Sequence, residues 1–269
     1  MTSAIPSIAQ TTGLGQATTA PARQAPGTAG RFLVDYGPKC NDANHEKLRV
    51  ALQKARYLEG MAARVNNFYG IPRDITISIQ EIGTPNAYWS TEKARIVIGY
   101  EMLDAIVGAF AQEGIGASEL TRKMFNVTEF VFFHELGHCL ISELGLPATG
   151  REEDAVDQFS TYMLVLLTNK ERRSFQDPTS GGFAAVDAAK FFALTSSNAI
   201  SERAFWDAHS LNQQRFYDIL TMVHGSGPRA YEYLVKTKML PPERAENSVL
   251  EWGRVLASWG RLTLPYTRK

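Results

Sequence analysis

The chain has 269 residues, 44% of them hydrophobic, and its 28 lysines and arginines balance its 28 aspartates and glutamates. Zero net charge gives no electrostatic basis for binding nucleic acid or an anionic membrane, both of which favour a basic face. The length allows a sizeable core, as one domain or as two lobes flanking a cleft. No run approaches eighteen apolar residues, so no membrane span is expected, and Cys40 and Cys139 do not make a disulfide scaffold.

Residues 1–30 are rich in Ala, Thr, Ser, Pro, Gly and Gln and poor in large apolar side chains, which predicts a disordered tail. They lack the basic start and apolar stretch of a Sec-type signal peptide. The expected setting is therefore the cytoplasm, or export by a non-Sec route with this segment as leader. Residues 31–269 are expected to form the folded domain, with an N-terminal lobe reaching to about residue 144 and a helical C-terminal lobe after it.

From about His45 to Phe68, the spacing of Leu48, Leu52, Ala55, Leu58, Met61 and Val65 predicts one helix, with His45 as a helix-start residue without a metal role. Ile71-Pro72 breaks the pattern. Asp74–Gln80 alternates strictly and should be a strand, and Ala94–Tyr100 a second one leading into a helix near Glu101–Phe110. Between the strands, Thr84–Ser90 reads as a turn with two half-exposed aromatics, Tyr88 and Trp89.

A helix over about Ser118–Leu144 carries His134-Glu135-Leu136-Gly137-His138 in an apolar run. Residues four apart on a helix are separated by about 400° of rotation and about 6 Å of rise, so His134 and His138 point the same way and can grip one metal ion. Glu135 lies about 100° round from His134, beside the ion, where a general base must sit to take a proton from water on the metal. Zinc suits such ligands, since it accepts imidazole nitrogen and carboxylate oxygen in tetrahedral geometry. Phe130, Val131, Phe132, Phe133, Leu136, Cys139 and Leu140 make the helix apolar nearly all round and therefore buried. Unpaired polar groups in such a helix cost several kcal/mol, and a metal supplies their partner. Cys139 on this helix is read as a small core residue.

Catalytic zinc needs a third protein ligand and keeps its fourth position open. After the turn Gly145–Gly150, a second helix begins at about Glu152 and runs to Asn169. Favourable charge at a helix N-terminus accounts for Glu152 and Glu153 tolerably. It accounts less well for Asp157, a full turn further in. Glu153 and Asp157 share a face at i, i+4, which lets Glu153 ligate the metal while Asp157 accepts a hydrogen bond from the far ring nitrogen of a ligating histidine.

Beyond them, Lys170–Asp177, Pro178 and Gly181-Gly182 read as a surface connection. Ala184–Leu194, Gln213–Val223, Arg229–Thr237 and Ala245–Trp259 read as helices. His209, Arg215, Tyr217 and His224 are the candidates in this half for a donor to the oxyanion of amide hydrolysis. Asp207 is close enough in sequence to orient His209, which otherwise reads as a helix-start residue packed on Trp206. Arg215 is the second choice, with an ion pair to the acidic helix as its other reading, and His224 is read as an incidental loop residue.

H-E-x-x-H followed by a helix with E-x-x-x-D resembles the glutamate-zincins, thermolysin among them. More of the chain, from about residue 31, resembles a bacterial family labelled putative metallopeptidases, through His134-Glu-Leu-Gly-His138, Leu146-Pro147, Gly150–Gln158 and His209–Phe216. The resemblance implies an α+β, zincin-like fold with a small N-terminal sheet and a mostly helical C-terminal lobe. It also implies one zinc ion held by His134, His138 and Glu153. Only fourteen residues separate His138 from Glu153, fewer than in thermolysin, so the loop between the helices must be tight. Zincins present an edge strand that pairs with an extended peptide. Asn86-Ala87 resembles the Asn-Ala pair of that strand in thermolysin-like enzymes, and His209 lies in a stretch that matches the family.

These readings converge on a zinc metallopeptidase in which Glu135 is general base, His209 shares the oxyanion, and Asp157 and Arg215 support the ligands. A peptide or protein would be the substrate. The alternative is a catalytically silent zincin-fold binding protein, with export as a bacterial effector one possible setting.

Overall fold

The computed structural model describes residues 29–170, 180–196 and 208–268. Most of the expected tail, the charged stretch to Asp177 with Pro178, and Trp206 and Asp207 lie outside the described residues. Strand β2 (Ile75–Gln80) forms the middle of a small sheet because Ile75, Ile77 and Ile79 are fully buried. It pairs in parallel with β1 (Phe32–Asp35) and with β4 (Arg95–Gly99), while β3 (Ala87–Ser90) runs antiparallel to β4 at the edge, giving the order β1-β2-β4-β3. Four residues are too few to show a period, which hid β1 in the sequence.

The predicted single helix over His45–Phe68 is two, α1 (Ala43–Lys54) and α2 (Tyr57–Phe68). Arg56 between them adopts a left-handed conformation with φ 53°. The hydroxyl of Tyr36 stands at this break, accepting from the Leu58 amide (3.1 Å) and donating to Glu59 Oε2 (2.7 Å). Apolar spacing continues across the break, so the pattern concealed it. His45 does sit in the first turn of α1, buried between Glu81 and Asp104.

Helix α3 (Tyr100–Ala111) leads to α4 (Ala117–Leu144), which is buried on nearly every side from Val127 to Leu140. Gly145 ends α4 with φ 61°, and a short turn sends the chain back along it as α5 (Glu152–Lys170). The two helices are antiparallel, since His134 meets Asp157 while Phe130, one turn earlier, accepts from Ser160. Gly137 makes the approach close: a Cβ there would stand 2.7 Å from Val156 Cγ1.

The remaining elements are α6 (Gly181–Leu194), α7 (Asn212–Ser226), α8 (Glu232–Lys236), α9 (Pro242–Ala245), α10 (Ser248–Thr263) and a 3-10 turn at Leu264–Tyr266. The molecule is thus mixed α/β, with a four-stranded sheet and mainly helical content. Several expectations are corrected here. Gly181 and Gly182 open α6 and do not form a surface connection, because Gly182 packs beneath Tyr231. His224 lies in the last turn of α7, buried and bonded to Ser248 Oγ (2.8 Å), and not in a loop. The helix expected over Arg229–Thr237 is only the five residues of α8, and Ala245 belongs to the separate turn α9.

One hydrophobic cluster runs from Phe32 to Trp259, so sheet and helices share a core with α4 between them. Cys40 and Cys139 are free and buried in it. Among the described residues, no helix is long and apolar enough to cross a membrane.

Candidate metal centre

His134 and His138, one turn apart on α4, bring their Nε2 atoms to 3.3 Å with the rings nearly perpendicular. Helix α5 delivers Glu153, whose Oε2 lies 3.0 Å from His134 Nε2 and 3.4 Å from His138 Nε2. A tetrahedral zinc ion with bonds of about 2.0–2.1 Å spaces its ligand atoms by about 3.3 Å. Two imidazole nitrogens and a carboxylate oxygen at these separations fit such an ion in both chemistry and spacing.

The outward nitrogens are also held. His134 Nδ1 lies 2.8 Å from Asp157 Oδ1, and Asp157 is gripped by Arg215 through Nε (2.7 Å) and Nη2 (2.8 Å). An ionised carboxylate only accepts, so His134 donates from Nδ1 and keeps Nε2 turned toward Glu153. Arg215 also lies over Phe192, its Cζ 3.7 Å from the ring centroid, and its guanidinium is engaged by Asp157, which fits the ion-pair reading. His138 Nδ1 is bonded to Glu152 Oε1 (2.7 Å). Sequence reasoning missed that role, because charge at a helix start was a sufficient account of Glu152; its place directly before Glu153 was the only signal.

The local electrostatics are strong. Burial alone would lower the His134 imidazole, but its bonds to Asp157 and Glu153 outweigh that and raise it to about 9. Burial likewise opposes the charge on His138, yet Glu153 and Glu152 raise it. Against its own burial, the three imidazoles around Glu153 hold that carboxyl far below the usual range. Asp157 resists burial in the same way and is lowered to about 2 by Arg215 and His134. Glu135 goes the other direction: burial raises it, and the imidazoles of His134 and His138 only partly restore the charged form.

Glu135 lies in a cleft of about 770 Å³ whose walls include Trp89, Met102, Val131 and Phe192. The backbone of Trp89 on β3 acts on its carboxyl in the same sense as the imidazoles, favouring the charged form, and Asn86, Ala87 and Trp89 line the same cleft. The segment around Asn86-Ala87 is therefore an edge strand lining the cleft and not merely a turn. Gly99 donates to Asn86 O (2.9 Å), so in the alternating antiparallel pattern Asn86 and Tyr88 face β4 while the backbones of Ala87 and Trp89 face outward.

His209 comes from the segment before α7 and places Nε2 2.9 Å from Glu153 Oε2, its ring nearly parallel to that of His134 with centroids 6.0 Å apart. Asp207, expected to orient it, lies outside the described residues. Ser210, next to it, donates to Asp154 Oδ1 at 2.6 Å. Among the described residues, His134, Glu153 and His209 form a group whose donor atoms all lie within 4.8 Å of one another.

No curated protein and no solved structure matches the chain. The model of a family described as "Putative metallopeptidase" matches residues 37–263, a span that holds the whole of this centre. On that match, which covers most of its length, the chain belongs to the Putative metallopeptidase family.

Proposed function

We propose that the chain is a zinc-dependent peptidase of zincin-like fold, with His134, His138 and Glu153 as metal ligands and Glu135 as general base. The observation that carries this reading is the convergence of two Nε2 atoms and Glu153 Oε2 within 3.4 Å, beside a buried glutamate in an open cleft. When bound, zinc supplies Lewis acidity, lowering the pKa of water to about 7 and polarising a carbonyl.

The side chains divide the remaining work. Outward-facing backbone of Ala87 on β3 pairs with an extended peptide, and Asn86 lies beside it in the cleft wall. Glu135 takes a proton on its carboxylate from the attacking water and returns it to the leaving amine. Burial helps, because a carboxylate with a raised pKa binds the proton more readily during transfer. Asp157, fixed by Arg215, holds His134 in one tautomer, and Glu152 does the same for His138. His209 donates to the oxyanion as it develops.

Metal content and hydrolysis of a mixed peptide library test this reading together. Wild type should carry about one zinc per chain and cleave peptides. Glu135→Gln should keep the zinc and lose at least about 10²-fold in rate, and Glu153→Ala should lose the zinc. Full activity in Glu135→Gln would remove the general base. A zinc-loaded wild type that cleaves nothing would favour the silent binding protein.

A further inference from the structure

The position of His209 does not match that of a donor reserved for the oxyanion. Such a donor faces the ligands across a gap wide enough for a carbonyl. Here Nε2 of His209 stands 2.9 Å from Glu153 Oε2, closer to that oxygen than either His134 (3.0 Å) or His138 (3.4 Å). All three imidazoles address the same carboxylate oxygen, and each separation is near the edge length of a zinc tetrahedron, about 3.3 Å. Two overlapping sets of three donors therefore share His134 and Glu153: one completed by His138 on α4, the other by His209 from the segment before α7.

We propose that His209 is a fourth protein ligand of the resting metal ion, so that the centre is closed by three imidazoles and Glu153 until substrate displaces His209. This rests on the peptidase reading for the identity of the ion and adds a latent state to it. The residues that follow His209 are fastened to two helix ends. Ser210 donates to Asp154 at the start of α5 (2.6 Å), and Asn212 Nδ2 reaches Thr195 Oγ1 at the end of α6 (3.2 Å). The imidazole itself is 45% exposed, so it can leave the ion without opening a buried void. An extended peptide lying along β3 reaches the same cleft, whose lining includes both Asn86 and His209. A displaced His209 then stands beside the reacting carbonyl, able to donate to it. Closure of all four positions by protein is otherwise the mark of a structural zinc site, and Glu135 has no use in one.

Cobalt substitution tests the assignment without relying on activity. An ion with four protein ligands has no position for a small anion, so the visible spectrum of the cobalt-loaded wild type should not respond to millimolar azide. His209→Ala should open a position, make the spectrum azide-sensitive and weaken zinc binding by at least about tenfold. Azide sensitivity in the wild type overturns the proposal whatever the variant does. Insensitivity that survives His209→Ala overturns it as well, since something other than His209 then fills the site. A wild type that takes up neither zinc nor cobalt defeats the peptidase reading along with it. Zinc binding with hydrolysis that depends on Glu135, but with azide sensitivity already present, defeats the latent state alone.

Discussion

Asp157 accepts from His134 Nδ1 at 2.8 Å while both of its oxygens are held by Arg215, so the imidazole is oriented by a carboxylate that is itself immobilised. The relay joins α4, α5 and α7 beneath the candidate metal site, and both Asp157 and His134 are buried.

Asp157→Asn should cost about 10- to 100-fold in zinc affinity, the usual effect of removing a carboxylate behind a ligating histidine. The amide no longer compels His134 to donate from Nδ1, and its own NH2 would face Arg215. Competition against a chromogenic chelator measures this directly, and affinity equal to wild type would show that the relay does not act on the metal.

Gly137→Ala should loosen the same centre by a steric route. The added methyl would meet Val156 Cγ1 at 2.7 Å and Phe159 at 3.2 Å, both facing α4 from α5, so α5 must move outward and carry Glu153 with it. We expect a stability loss of about 1–3 kcal/mol with a fall in zinc affinity larger than in a control such as Gly253→Ala, where a Cβ meets nothing. Chemical denaturation of the metal-free protein and chelator competition separate the two effects.

Zinc uptake should release protons. Without metal, His134 is raised to about 9 and so holds a proton at neutral pH that must leave when Nε2 binds the ion, and His138 is raised in the same direction. Apparent affinity should therefore increase as pH rises from 6 to about 9. Calorimetry in buffers of different ionisation enthalpy counts the protons; a count of zero would contradict these protonation states.

His45 offers a pH test away from the centre. Burial lowers its imidazole, but Asp104 Oδ2 (2.8 Å) and Glu81 Oε1 (3.0 Å) on its two nitrogens raise it overall. A folded pKa above the unfolded value stabilises fully below about 6.5 and loses that contribution as pH climbs through the folded pKa. His45→Gln should thus cost about 1 kcal/mol at pH 5.5, discounted because Asp104 is exposed, and less at pH 8.5. Urea denaturation at the two pH values reads the difference; a cost that grew with pH would reverse the sign of the argument.

Several features were legible in the residues because they depend on local period alone. Four-residue spacing on α4 turns His134 and His138 to one side, the same spacing on α5 pairs Glu153 with Asp157, and alternation at Ile75, Ile77 and Ile79 marks the central strand. Helix geometry is set by bonds between near neighbours, so a sequence pattern can determine it. Tertiary structure decided the rest. Tyr36 divides α1 from α2 from twenty residues away, Glu152 turns onto His138 across the α4–α5 turn, and the segment before α7 lays His209 against Glu153. These contacts form only when distant segments pack on a shared core, and no local period records which side chain the packing will bring to a metal.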